Sequence, residues 1–510
     1  MMEVTQNSVS SRTSNALECD ELLDRTRDDQ QVTPRRLSTG IAELDDILQG
    51  GFIPWRTYLV RGGPGSGKTT LGLHFLTAGA VRNEATLYIS VGEPEEQILK
   101  NARSIGLDMN NIAFLDLSIH SEFFAELQNQ RAFDPELVQH DSITQKIIQQ
   151  IEVLKPQRVF LDSMTQLRLL LPDIFQFRKQ VLSFLHFLIE QSATVLFTSE
   201  SGDTTSDEDF QSICDGIINL HFAEGERMLS VTKYRGSGFH SGQHSIRLTE
   251  KGMEVFPHLL PEMYKREFVV ESISSGIPEL DQLLHGGLER GTISILTGPS
   301  GVGKTTLGLQ FMKEAAGRGE RSFVYTFEEN EETIIRRCES VNIPVRAMIE
   351  RGTLSIKQIE PLYYTPDEFA YKVRREVEQE QTSIVMIDSV AGYSLSVRGK
   401  SLVSHIHALC KYLQNLGIAV LLVNEVEAIT GAFRATEVGI SYMADNILFL
   451  LYIEMGGEMH KAIGVLKKRL TDFERSLCEI EISRYGIKIG KPLKGLRGIL
   501  RGTPLLIDHQ

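Results

Sequence analysis

The chain has 510 residues, of which 41% are hydrophobic, 24% charged and 7% aromatic, a globular balance that sets aside collagen-like, coiled-coil and wholly disordered classes. Lys and Arg number 53 against 67 Asp and Glu, a net charge of −14. That sign argues against a protein whose main task is to coat nucleic acid or an anionic membrane.

In chain order, residues 1–34 are polar, lack an apolar signal-peptide core and read as a flexible tail. A long repeat follows. STGIAELDDILQGG from Ser38 returns as SSGIPELDQLLHGG from Ser274, and GKTTLGLHF from Gly67 returns as GKTTLGLQF from Gly303, both at an offset of 236. The repeat implies two copies of one domain, 35–260 and 261–490, with a short tail at 491–510. In the first copy, strands are expected at Thr57–Arg61, Thr86–Val91, Arg158–Asp162 and Thr194–Thr198, with a helical pattern over Val181–Ile189. The matching strands of the second are Thr292–Thr297, Ser322–Phe327, Ser383–Asp388 and Ala419–Asn424. Strand–helix alternation of this kind predicts an α/β fold, a mostly parallel sheet covered by helices on both faces. The longest apolar runs, such as Ile418–Val423 and Ile447–Ile453, fall short of the roughly 18 residues of a membrane span and suit buried strands. Five scattered cysteines with no C-x-x-C pair suit reduced thiols, so a cytoplasmic location is expected.

Each copy carries G-x-x-x-x-G-K-[ST] after an apolar strand and before a helical stretch, the setting of a phosphate-binding loop. Gly63, Gly65, Ser66, Gly67, Lys68, Thr69 and Thr70 form the first candidate nucleotide site, and Gly301, Val302, Gly303, Lys304, Thr305 and Thr306 the second. Glycines let main-chain N–H groups turn onto phosphate oxygens, the lysine reaches the β- and γ-phosphates, and Thr69 and Thr305 can ligate Mg²⁺. Asp162 and Asp388 each end a later strand, where a carboxylate lies beside the loop and can act on Mg²⁺, through water. Lys304 to Glu329 and Lys68 to Glu93 are both 25 residues, so Glu328–Glu329 of the second copy matches Gly92–Glu93 of the first. A carboxylate there can orient or deprotonate the group that attacks the γ-phosphate.

Together these features resemble the KaiC family of RecA-like circadian-clock ATPases over about residues 37–504, including Gly457-Glu458-Met459, Ala462-Ile463 and Gly502-Thr503-Pro504. The resemblance implies tandem RecA-like domains, a homohexamer with ATP and Mg²⁺ at subunit interfaces, ATP hydrolysis, and serine/threonine autokinase activity in the second domain. It makes Glu328 and Glu329 the catalytic carboxylates there, whereas Glu93 alone remains in the first domain. Lack of a general base at Gly92 would slow first-domain hydrolysis about 10²–10⁴-fold. Lys233 and Arg235, and Lys467 and Arg469, match a Lys-x-Arg pair that reaches a neighbouring subunit's γ-phosphate. Ser441 matches a phosphoacceptor, Tyr442 stands where the best-known members have Thr, and Thr436 matches a nearby hydroxyl. A KaiB-like partner is compatible with the resemblance. Dependence on KaiA is not expected, because only Leu505–Gln510 follow Pro504. The role implied is that of a clock, signalling or stress regulator. The alternatives are a RecA-type nucleic-acid-dependent ATPase, disfavoured by the net charge and a single Trp, and a nucleotide-gated scaffold with little turnover.

Overall fold

The structure, a computed structural model, describes residues 36–118, 141–169, 174–200, 207–397, 402–426 and 439–506 apart from 456, 495, 498 and 500–504. The predicted N-terminal tail, Thr436 and Gly502–Pro504 lie outside the described residues. The chain divides into two compact units: the described residues up to Gly242 with Ile246–Val255, and Gln243–Ser245 with the chain from Phe256 onward.

The first unit is built on β1 (Thr57–Gly62), β2 (Thr86–Ser90), β3 (Ala113–Asp116), β4 (Arg158–Asp162), β5 (Thr194–Glu200), β6 (Gly216–Ala223), β7 (Glu226–Tyr234), β8 (His244–Thr249) and β9 (Gly252–Phe256). The sheet order is β3-β2-β4-β5-β1-β6-β7-β8-β9. The strands from β3 across to β6 pair in parallel, and β7 turns back antiparallel on β6. The second unit begins with a small hairpin, β10 (Ser272–Ile273) and β11 (Leu288–Glu289). Its main strands are β12 (Ile293–Gly298), β13 (Arg321–Thr326), β14 (Leu354–Gln358), β15 (Thr382–Asp388), β16 (Ala419–Glu425), β17 (Asn446–Met455), β18 (Glu458–Lys468), β19 (Cys478–Ser483) and β20 (Gly486–Pro492). They repeat the same order, β14-β13-β15-β16-β12-β17-β18-β19-β20.

The central strands are apolar on both faces because helices cover both. On β15, Val385 and Ile387 enter one core while Ile384 and Met386 enter the other. On β4, Val159 and Leu161 separate from Phe160 in the same alternation. The expected parallel, doubly covered sheet is therefore present in both copies, with each named strand close to its predicted limits. The strands that extend each sheet beyond its parallel part, β7–β9 and β18–β20, were not read from the sequence.

One buried ion pair lies in the first unit. Arg158 is fully buried and donates to Glu84 at 2.6 Å and to the carbonyls of Ser38 and Phe75 at 2.7 and 2.9 Å. Gly79 makes room for it, since a Cβ there would lie 2.6 Å from Arg158 Cδ. Cys214, Cys338, Cys410 and Cys478 are free and buried. Among the described residues no helix is long and apolar enough to cross a membrane.

Candidate functional site

Both loops leave the carboxyl ends of β1 and β12, the edge where open α/β sheets place ligands. Gly67 and Gly303, with φ of 105° and 115°, turn the chain into the helices Lys68–Ala80 and Lys304–Gly317. A residue with a Cβ does not take that turn without strain. The same turn directs the first N–H groups of each helix toward the loop, which suits an anion. Gly63 and Gly65 have open space where a side chain would begin.

The lysines are held by their own loops. Lys68 Nζ donates to the Gly62 and Gly63 carbonyls at 2.9 and 3.0 Å, and Lys304 Nζ to those of Gly298 and Pro299 at 2.9 and 2.8 Å. Burial holds both ammonium groups below the usual lysine range, opposed by Asp162 and Glu200 around Lys68 and by Glu425, Asp388 and Glu328 around Lys304. The second loop opens onto a cavity of about 270 Å³ whose lining includes Lys304, Thr305, Glu328, Glu329, Asp388 and Glu425.

The predicted hydroxyl–carboxylate pairs meet in both copies. Thr69 Oγ1 donates to Asp162 Oδ2 at 2.6 Å, and Thr305 Oγ1 to Asp388 Oδ2 at 2.6 Å. Such oxygen donors suit a hard divalent cation. The two aspartates differ in support. Asp162 also accepts from Thr198 at 2.5 Å and from Tyr88 at 3.3 Å. Aligning the ends of β5 and β16 sets Thr198 against Val423, which has no hydroxyl to offer Asp388. Burial pushes Asp388 up to about 6, aided by Glu329 and Glu328 and opposed by its Thr305 hydrogen bond and by Arg337.

The glutamates separate. Glu328 Oε1 accepts from Ser389 Oγ at the wall of the cavity. Glu329 is bound to Arg337, whose Nη1 lies 2.5 Å away, so the second carboxylate of the pair is matched by a cation. In the first domain Glu93 is exposed. The space at Gly92 is filled from another direction: a Cβ there would lie 1.9 Å from Gln166 Oε1. Counting from the two strand-end aspartates, Gln166 corresponds to Gly392. A Cβ at Gly392 would press on Phe327 at 2.5 Å and approach Glu328 Oε1 at 3.5 Å. The copies have exchanged side chain for glycine at two facing positions. Gln166, Thr198 and Arg337 were missed by the sequence reading.

The Lys-x-Arg pairs lie at the opposite end of the strands from the loops. Lys467 pairs with Ile447, which is level with Ile295 of β12; the Arg469 amide bonds to Asp445, whose own amide bonds to Ile293. Arg469 is therefore roughly 16 Å along the strands from Gly298 and about 10 Å across them. Lys233 and Arg235 occupy the same end of the first sheet, linked through Asp215 to Thr57. Lys233 donates to the Gln211 and Ser212 carbonyls, and Arg235 pairs with Asp215 at 3.8 Å. In the second domain Lys467 Nζ donates to the Ser441 carbonyl at 3.0 Å, and Arg469 Nη2 to the Tyr442 carbonyl at 2.7 Å. The cations and two of the predicted acceptors thus form one cluster. Tyr442 is half exposed and stacks on His407, with ring centres 5.8 Å apart.

A family model described as the KaiC ATPase matches the chain twice, over residues 37–259 and 273–494. The chain is similar to the circadian clock protein KaiC3 of Synechocystis sp., with 27% identity across 92% of this chain and 94% of that protein. It is 27% identical to the circadian clock oscillator protein KaiC of Acaryochloris marina, over 95% of this chain and 94% of the relative. For KaiC of Parathermosynechococcus lividus the identity is 28%, over 92% and 88%.

Proposed function

The chain belongs to the KaiC family of ATPases, and from that premise we propose a homohexamer that hydrolyses ATP and phosphorylates its own second domain on Ser441. In this reading Gly63–Thr70 and Gly301–Thr306 hold the nucleotide phosphates. The observation that carries the reading is the position of Lys467 and Arg469, at the far end of the strands from their own loop and bonded to the acceptor segment. Cations placed there do not reach the phosphate of their own subunit. They and Ser441 serve an ATP held by a neighbour, which supports a ring with nucleotide at each interface.

Within one such site, Lys304 swings from its loop carbonyls to the β- and γ-phosphates. Thr305 and Asp388 would hold Mg²⁺, which would supply positive charge to the phosphate oxygens. Glu328, oriented by Ser389, takes the proton of the Ser441 hydroxyl as its oxygen bonds to the γ-phosphorus and the bond to ADP breaks. With water in place of Ser441 the same step is hydrolysis. Lys467 and Arg469 of the adjoining subunit stabilise the charge that collects on the transferred group. In the first domain the Gln166 carboxamide takes the position of the missing carboxylate. A carboxamide orients an attacking water without accepting its proton, as glutamine does in GTPases. First-domain hydrolysis is accordingly slow. The biological role is that of a clock or signalling regulator, with a KaiB-like protein as a candidate partner.

Incubation with γ-labelled ATP tests the autokinase. Label is expected on the second domain of the wild type and is lost in Ser441→Ala and Glu328→Gln. Label that persists in Ser441→Ala moves the acceptor to Tyr442 or Thr436, and phosphate release with no label leaves an ATPase alone.

A further inference from the structure

Outside both nucleotide sites, three side chains from separate segments of the second unit converge: His258, Asp367 and His405. His258 Nδ1 lies 3.0 Å from Asp367 Oδ1, and His405 Nδ1 lies 4.0 Å from the same oxygen. One ligand atom from each falls within 4.8 Å of the other two.

Each residue has a firm support. His258 precedes Leu259, which is buried in the core of the second unit, so the strap after β9 is anchored there. Asp367 lies in the first turn of the helix Pro366–Glu380, whose start is fixed by a Thr365–Glu368 capping box. His405 lies in the first turn of the helix Leu402–Asn415. Ligands carried on elements fixed in this way keep their geometry without an ion.

Asp367 is 2% exposed. A carboxylate so far from water needs hydrogen bonds, a counter-charge or a metal. Its Oδ2 accepts from Ser245 Oγ at 3.0 Å, and Oδ1 faces the two imidazoles. The Tyr393 hydroxyl is buried with no hydrogen-bond partner among the described residues, and the Asp367 charge acts on it.

We propose that His258, Asp367 and His405 form a binding site for a divalent transition metal, with Zn²⁺ the best match. Two imidazole nitrogens and one carboxylate oxygen suit zinc and its neighbours rather than the all-oxygen preference of Mg²⁺ or Ca²⁺. Zinc bonds of about 2.0–2.2 Å require neighbouring ligand atoms near 3.3 Å, so movements of about 1 Å close the set. The fourth position is a water, admitted past His258, whose side chain is 33% exposed. The ion takes the place of the hydrogen that an imidazole Nδ1 donates to Asp367, and the displaced proton leaves with solvent. Its effect is to tie the strap to two helices. The helix Leu402–Asn415 also carries His407, which stacks on Tyr442 of the acceptor segment.

The test uses the full chain without a histidine tag, dialysed against chelator and titrated with Zn²⁺ alone in competition with a chromophoric chelator. One tight equivalent per chain is expected, weakened at least about tenfold in His258→Gln and in His405→Gln. Co²⁺ in place of Zn²⁺ gives visible ligand-field absorption in the wild type that both variants lose. Asp367→Asn disturbs a buried helix start, so the two histidine variants carry the test, with circular dichroism confirming their fold. Absence of a tight equivalent, or one that survives in the double variant, overturns the site.

Discussion

Gln166 and Gly92 occupy one space in the first domain: the carboxamide of the first lies where a side chain on the second would begin. In the second domain the same space belongs to Glu328, and the position facing it is Gly392. This exchange makes the first site adjustable in a defined way. In a Glu328→Ala background, which leaves neither carboxylate nor carboxamide at that place in the second domain, Gln166→Ala should lower residual phosphate release at least about tenfold. Gly92→Glu alone meets Gln166 and should weaken the fold. Gly92→Glu with Gln166→Gly rebuilds the second-domain arrangement and should raise turnover by about 10–10²-fold over that background. Unchanged turnover in Gln166→Ala would remove the glutamine from the mechanism.

Arg469 and Glu328 are assigned to opposite sides of one interface, so their loss should be complementable. Arg469→Gln and Glu328→Gln subunits should each fail to label alone, the former by about 10³-fold or more. Mixed and reassembled with ATP, they create some interfaces that hold both native residues, and label should return. Two inactive variants that stay inactive after mixing would place both groups in one subunit's site.

Asp388 gives a pH dependence with a definite sign. Its carboxyl is raised from 3.8 to about 6, so the folded chain holds a proton that the unfolded chain releases between those values. Stability from this group is full below about pH 4 and is lost as pH rises through about 6. The loss is about 3 kcal/mol at 1.36 kcal/mol per unit. Urea melts of the nucleotide-free protein should show Asp388→Asn gaining on the wild type from pH 4 to 7, with a flatter slope. Mg²⁺-dependent nucleotide binding has the opposite sense, since the carboxylate must be ionised, and should weaken below pH 6.

Arg158 and Glu84 test the first core. Removing one partner leaves a fully buried charge uncompensated. Glu84→Gln should therefore destabilise the first domain by about 3–5 kcal/mol in chemical denaturation. Replacing both by apolar residues of similar volume should lose much less. If the two variants lost equally, packing rather than charge would explain the effect.

The loops and their aspartates were legible because their chemistry is contiguous or ends a strand, and the 236-residue offset repeats it. The Lys-to-Glu spacing of 25 also located Gly92 as a departure. What replaces it was not legible. Gln166 is 74 residues away, and the register of β2 against β4 brings the two together. Arg337 belongs to no motif and lies on the helix Glu331–Glu339, where only the fold brings it to the second glutamate. The β7–β9 and β18–β20 extensions escaped notice because half-solvated strands alternate weakly and lack a continuous apolar run. His258 and His405 are 147 positions apart, Asp367 lies between them with no motif spacing, and only the fold unites the three.

Lys467 and Arg469 hold the Ser441 and Tyr442 carbonyls through the same ammonium and guanidinium groups that the proposed ring offers to a neighbour's phosphate. A cation committed to one anion or carbonyl is withdrawn from another. When the pair turns to the phosphate, the acceptor segment is released to approach it; when the segment is clamped, the phosphate is left less neutralised. Two chemistries at one interface would then alternate rather than run together, with a pair of side chains acting as the selector.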